Sequence, residues 1–430
     1  MIETLVFAIP IGLYLLLMWK SGKIYPILYL FLLVYFVQYI FSTYIIYNYY
    51  NDLRSLMPIS QSHYFGYLIP AFLSLFLGLF IFNKDIQIAS HIQAIDPLDA
   101  SRTGYLLLGI SILFDLSSFL GLGVTSILSF TGYLKFLGAF CFLFSRSKWN
   151  YFFIVVIYTQ LALEVIGSGV FISFFIWTLF LFTFIYLRFK LPFAIRTLLF
   201  ILFIPIVGAI QGVKKEYREK IWTSTGKGSL GLLTDLAIKK GSQEADDPYS
   251  ESSGVKRTIG RLSQGWHLGL TLKQVPAKVP IAEGHEMLND IVASFLPRLL
   301  FEDKKSVNSK VKFGKYTGHK LRGNTSMSIG IVGDFYINFG RAGSYIMLFI
   351  FGAVIAKLLH YFITRYVLFD PINIIWVPYL LSYLIRANND FYIFLNCLVK
   401  GFLVFLAVNY IRQALLRKGS SRKAAKPNPA

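Results

Sequence analysis

The chain has 430 residues, 55% hydrophobic and 15% charged, with a formal net charge of +20 and a mean hydropathy of +0.58. So many apolar side chains behind so few charges exclude a soluble globular protein of this length and point to a bilayer. The 41 Phe and 27 Tyr suit lipid contact and two aromatic belts, and no run of short alternating segments suggests a barrel.

Backbone polar groups in lipid must satisfy one another, so long apolar runs are expected to be helices. Runs able to cross about 30 Å of hydrocarbon are predicted at 4–19, 24–47, 64–82, 104–122, 126–144, 150–166, 169–188 and 193–212. After a long polar stretch, three more follow at 343–363, 372–386 and 391–412. Glu3 stands where a cleavable signal peptide would be basic, and no small-residue cleavage site follows, so the first run is expected to be retained. Asp115, Lys135 and Glu164 lie inside predicted spans and are expected to face the bundle interior, with snorkelling an alternative for Lys135. Cys141 and Cys397 also fall inside spans, which leaves the long polar segment without a disulfide.

Charge sets sidedness. Lys20 and Lys23, Lys84 and Arg102, Arg146 and Lys148, Arg188 and Lys190, and Arg365 all fall on one side. The tail with Arg412, Arg417, Lys418, Arg422, Lys423 and Lys426 joins them. The opposite short loops hold little beyond Arg54 and Arg386. By the positive-inside rule the rich side is cytoplasmic, which puts the N-terminus and the long segment outside and the C-terminus inside. The expected layout is an all-α, polytopic fold of about eleven spans. A bundle of about eight spans covers 1–212, and a large external loop with short helices covers 213–330. A re-entrant-like segment and three spans cover 331–412, and a basic disordered tail covers 413–430. Topology accounts for the net charge, and no nucleic-acid partner is expected.

The external segment carries 20 Lys and Arg against 12 Asp and Glu. Its start, Lys214 to Lys220, continues the eighth span as a helix, and 241–254 reads as a loop tip. Ile259, Leu262, Trp266 and Leu270 recur at helical spacing over 255–272, ended by Pro276 and Pro280. A second helical pattern spans roughly 284–296 and stops at Pro297. Farther on, Gly330, Gly333, Gly340, Ala342 and Gly343 interrupt an apolar run that also holds Asp334, Tyr336 and Asn338. Such small residues suit a segment that lets backbone approach a ligand better than a plain lipid-facing helix.

The block from Pro297 to Lys304 (PRLLFEDK), followed by Ser-rich residues and the block from Gly333 to Gly343 (GDFYINFGRAG) opening a span, resembles the Wzy-type oligosaccharide repeat-unit polymerases, relatives of the O-antigen ligases. The motifs cover roughly 255–345, and the layout of many spans with one late outer loop covers the chain. The resemblance implies a C-type glycosyltransferase-like fold in a bacterial inner membrane. It implies undecaprenyl-pyrophosphate-linked oligosaccharide as both donor and acceptor, and a chain-length regulator as a further partner. Neither metal nor cofactor is implied, because the sugar arrives on an activated lipid pyrophosphate. A His-containing motif of the ligases is not reproduced here.

Such a transfer needs cations where charge builds on the departing phosphate and a base for the attacking hydroxyl. Arginine's fork suits pyrophosphate, so Arg261, Arg298, Arg322, Arg341 and Arg386 are the expected contacts, with Lys304 beside them. His285 with Glu286, and Asp334 in the second block, are the candidates for acid–base work, and His267 and Tyr336 for substrate contact. Each has a plain alternative as a solvated, headgroup-facing or hydrogen-bonded group. Trp266 and Tyr336 are the aromatics expected to stack on sugar. An O-antigen ligase, or a transporter or flippase of lipid-linked oligosaccharide, is the rival reading. The absence of an internal repeat weighs against the transporter.

Overall fold

The computed structural model describes residues 2–120, 128–223, 228–246, 254–296, 309–321 and 327–424. Among them every regular element is helical. The chain opens with α1 (Ile2–Lys20), α2 (Ile27–Tyr49), α3 (Gln61–Ile81), α4 (Pro97–Phe119) and α5 (Phe130–Leu143). Next come α6 (Lys148–Ser168), α7 (Ile172–Phe189) and α8 (Phe193–Thr223). Five shorter helices follow: α9 (Leu230–Asp246), α10 (Gly254–Leu262), α11 (Gly265–Gln274), α12 (His285–Phe295) and α13 (Ser309–Thr317). The last three are α14 (Ile331–Phe362), α15 (Pro371–Leu381) and α16 (Phe391–Ala424).

Eight of these, α1, α2, α3, α6, α7, α8, α14 and α16, are long and apolar enough to cross a membrane. The architecture is therefore helical and compatible with membrane embedding. Three of the eleven expected spans differ. α5 and α15 are apolar but short, and the 11 residues of α15 reach only about 16 Å at the α-helical rise. α4 has the length but holds Asp99, Arg102 and Asp115. α16 continues through Arg412 to Ala424 instead of ending near 412.

α3 and α14 form the tightest pair. A Cβ on Gly78 would lie 2.0 Å from the Phe349 carbonyl oxygen, and one on Gly352 would lie 2.7 Å from that of Leu75. Small residues at both positions let the two backbones touch, the usual device where lipid gives helices no hydrophobic reason to associate. At one end of the bundle the buried Arg412 binds Asp99, Asp370 and Thr103, which joins α4, the turn before α15 and α16. Lys135 pairs with Asp115 at 3.4 Å. Glu164, by contrast, is exposed on α6, contrary to the inward orientation expected from the cost of a carboxylate in lipid.

The segment between α8 and α14 packs on the other end of the bundle. Lys256 of α10 pairs with Asp52 at 2.6 Å. Helical periodicity over 255–272 predicts one helix, but the chain breaks at Ser263 and Gln264. Tertiary bonds claim the backbone there: Ser263 Oγ meets Thr43 Oγ1 at 2.8 Å, and Gln264 N donates to Gln38 O at 2.9 Å. Gln38 lies in a wide π-type turn of α2, Phe36–Phe41. α14 is bent at Gly340, whose φ of +66° and ψ of −167° form a conformation essentially reserved for glycine. The half before the bend, 331–339, is almost wholly buried.

Candidate functional site

Where α8 runs on past its apolar stretch, Gln211, Lys214 and Arg218 fall at helical spacing on one face. That face and Arg261 of α10 border a cavity of about 690 Å³. The rest of its wall comes from Gln38 of α2, Val170 just before α7 and Ile172 at its start, Glu219, Leu262, Gln264 and His267, Met327 and Ser328, and Asn388. Glu219 is the one carboxylate among the lining residues described, against three cations.

The two arginines are held differently. Arg218 Nε donates to Gly169 O at 2.8 Å, an oxygen presented by the left-handed residue that ends α6. Arg261 Nη1 donates to Gln211 O, which ties α10 to α8. Burial first, and then the like charges of Arg218 and Arg257, push the Arg261 guanidinium below the ordinary arginine range. An anion entering the cavity relieves that repulsion, and two guanidinium forks with one ammonium suit a diphosphate. His267 Nδ1 lies 3.0 Å from Gln264 Oε1. Burial, helped by His319, lowers its pKa to about 4, so the ring is neutral at pH 7.

Behind the Ser328–Asn388 wall lies a buried charge cluster. Lys312 Nζ is 2.9 Å from Asp290 Oδ2 and 2.8 Å from Asp334 Oδ1. Asp334 Oδ2 also accepts from Phe391 N at 2.8 Å. Asp390 Oδ1 accepts from Ile329 N at 2.8 Å and Gly330 N at 3.1 Å. Burial raises Asp290 to about 6 despite Lys312 beside it. For Lys312 burial acts downward, but Asp334, Asp290 and Asp390 outweigh it and hold the ammonium above the ordinary lysine range. Three carboxylates thus gather around one lysine in a dry setting.

Of the residues singled out from sequence, Arg261 and His267 line the cavity and Asp334 belongs to the cluster. The others sit elsewhere. His285 is exposed at the first residue of α12. Glu286 Oε1 accepts from Lys315 Nζ and Tyr316 Oη, each at 2.8 Å. Burial raises its pKa, but those bonds outweigh burial and bring the carboxyl below its ordinary range. Tyr336 is buried, with its hydroxyl donating to Val275 O at 3.0 Å and its ring 4.9 Å from that of Tyr67. Arg341 donates to Gly66 O at 2.6 Å and to Tyr345 Oη at 3.1 Å. Arg386 lies over the Tyr383 ring at 4.6 Å and does not pair with Asp390, whose Oδ1 is taken by backbone. Trp266 stands against His319, the ring centroids 5.2 Å apart. Arg298, Lys304 and Arg322 lie outside the described residues.

Lys214, Arg218, Asp290, Lys312 and Asp390 were not among the expected site residues. The first two carried a signal, a basic helical face continuing from a span. The others are brought together only by the fold.

The family described as Domain of unknown function (DUF8712) matches residues 27–415, and the chain belongs to it. No curated protein and no solved structure matches the chain.

Proposed function

We propose that this member of a family without an assigned function is a membrane glycosyltransferase. In this reading it polymerises undecaprenyl-pyrophosphate-linked oligosaccharide repeat units at the outer face of a bacterial inner membrane. The observation that carries the reading is the convergence of Lys214, Arg218 and Arg261 on one cavity beside helices long enough to span a bilayer. The distribution of Lys and Arg between short loops supports an outward-facing cavity, and the two sequence blocks that resemble the polymerases stand in the chain on either side of the lining residues Met327 and Ser328.

The chemistry follows from the lining. The three cations hold the pyrophosphate and offset the charge that develops on its oxygen as the glycosidic bond to the carrier breaks. Gln38, Gln264 and Asn388 offer amides to sugar hydroxyls along the same wall. The apolar Val170 and Ile172 at the rim suit the start of a polyprenyl chain.

The test is a deletion strain whose surface glycan is run on a gel and whose lipid-linked intermediates are extracted. Single repeat units on the normal anchor, without long polymer, are the expected result. Long polymer held on the lipid carrier would assign a ligase instead. Repeat units trapped on the inner leaflet would assign a flippase, and an unchanged glycan would overturn all three.

A further inference from the structure

Three side chains of the cavity wall form a directed line of hydrogen bonds. His267 Nδ1 lies 3.0 Å from Gln264 Oε1, and Gln264 Nε2 donates to Gln38 Oε1 at 3.4 Å. An amide oxygen only accepts, so Nδ1 carries the ring proton and donates, which leaves the lone pair of the neutral imidazole on Nε2. At the other end Gln38 keeps both N–H groups of its amide, because its oxygen is the atom that Gln264 uses. Among the described residues neither His267 Nε2 nor Gln38 Nε2 has a hydrogen-bond partner, and neither is a buried orphan. Both therefore reach open space, and both residues line the cavity. The line is also held in place. Gln264 N donates to Gln38 O at 2.9 Å, so the two glutamines are tied twice, and the His267 ring stands edge-on to Phe313 with centroids 5.6 Å apart.

We infer that this line reads the hydroxyls of a sugar, with His267 Nε2 accepting from one hydroxyl and Gln38 Nε2 donating to another oxygen of the same glycan, and so divides the cavity into a glycan wall and a pyrophosphate wall. The inference rests on the glycosyltransferase reading and deepens it by giving the substrate a direction. The oxygens of an ionised pyrophosphate only accept, so they suit Lys214, Arg218 and Arg261 and offer nothing to His267 Nε2. A hydroxyl both donates and accepts, and it matches both ends of the line. The two walls come from different elements. The cations stand on α8 and α10, whereas Gln38 belongs to the wide turn of α2, and Gln264 and His267 open α11.

The state of the ring fits this role. Burial first, and then the nearby His319, hold the His267 imidazole neutral at pH 7. A protonated ring would donate from both nitrogens and have no lone pair for a hydroxyl. With a pKa of about 4 the ring accepts a hydrogen bond but is too weak a base to take the proton of the attacking hydroxyl. Gln264 touches both ends of the line and is a positioning residue, with its side chain 8% exposed. His267 and Gln38 are the groups that touch the sugar and select for it.

The experiment uses the full chain in detergent and compares its affinity for two probes. One is the lipid-linked repeat unit extracted from the deletion strain, and the other is undecaprenyl pyrophosphate without sugar. The readout is the ratio of the two affinities. Gln38→Met removes the donor at nearly the same length, and His267→Phe removes the acceptor while keeping a ring against Trp266 and Phe313. Each is expected to reduce the preference for the sugar-bearing lipid about 5- to 10-fold, the range for one hydrogen bond between neutral groups. Lys214→Ala is expected to weaken both probes alike, since the pyrophosphate is common to them. An unchanged ratio in either folded variant would overturn the glycan wall, and should His267→Phe fail to fold, Gln38→Met decides alone. A wild-type chain that binds the bare carrier but gains nothing from the sugar would remove the glycan wall and leave the pyrophosphate wall standing. If the wild-type chain binds neither probe, the glycosyltransferase reading falls and takes the glycan wall with it.

Discussion

Lys312 Nζ lies 2.8 Å from Asp334 Oδ1, with the lysine side chain 6% exposed and the aspartate 0%. One residue comes from the segment between α8 and α14 and the other from the first turn of α14, so a buried ion pair fastens that segment to the bundle.

Removing the lysine should therefore loosen more than one helix. Lys312→Met leaves Asp334 and Asp290 facing each other without a cation. Breaking a buried pair from one side costs about 3–5 kcal/mol. Thermal or chaotrope unfolding in detergent should show a loss of that size. Adding Asp290→Asn to Lys312→Met should recover part of it by removing one stranded charge. No recovery would mean that the cluster is not the source of the loss.

The cavity cations should act on ligand, with Arg218 and Arg261 also holding the fold through Gly169 O and Gln211 O. Lys214→Ala, Arg218→Ala and Arg261→Ala are each expected to weaken binding of undecaprenyl pyrophosphate about 10- to 100-fold, since a charged hydrogen bond contributes about 1.5–3 kcal/mol. Lys20→Ala, a cation paired with Asp85 far from the cavity, should leave binding unchanged. Isothermal titration in detergent checks both. Affinity should also fall with added salt in the wild type and fall less steeply in the variants.

Two groups should make stability depend on pH in opposite senses. Asp290 is raised from 3.8 to about 6 in the folded chain. Its contribution to stability is present below 3.8 and lost as pH climbs through 6. Asp290→Asn should therefore gain on the wild type between pH 4 and 6 as pH rises. His267 is lowered from 6.5 to about 4, so its contribution is present above 6.5 and lost as pH falls. His267→Gln should gain on the wild type as pH drops from 6.5 to 4. Melting curves across this range read both slopes, and parallel curves for wild type and variants would contradict them.

Gly340→Ala tests the bend in α14. With φ at +66° and ψ at −167°, and Ile281 Cδ1 2.8 Å from where the new Cβ would sit, alanine is strained there. A residue forced into such a conformation costs about 1–3 kcal/mol. A melting temperature equal to wild type would mean that the bend tolerates a side chain.

The parts legible in the sequence are those whose signal is local. Apolar length located all eight of the long helices, and the pattern at 284–296 matched α12 to within about a residue. The small residues from Gly330 onward flagged a break, and two of them, Gly330 and Gly340, take positive φ. Periodicity could not foresee that Gln38 and Thr43 would interrupt the helix at Ser263, because those bonds join positions more than 200 residues apart. The same reason hides the cluster: Asp290, Lys312, Asp334 and Asp390 carry no common motif. Arg261 and His267 were legible because they sit on an amphipathic pattern. Lys214 and Arg218 sit on the polar extension of a span, where basic residues are ordinarily read as topology.

The cavity wall is assembled from positions as far apart as Gln38 and Asn388. A ribosome making this chain releases Lys214, Arg218 and Arg261 well before the last segment that encloses them. Until Asn388 has emerged the wall is incomplete, so the cavity exists only once nearly the whole chain has been made. A nonsense change anywhere before that point should thus leave the cavity without its closing wall.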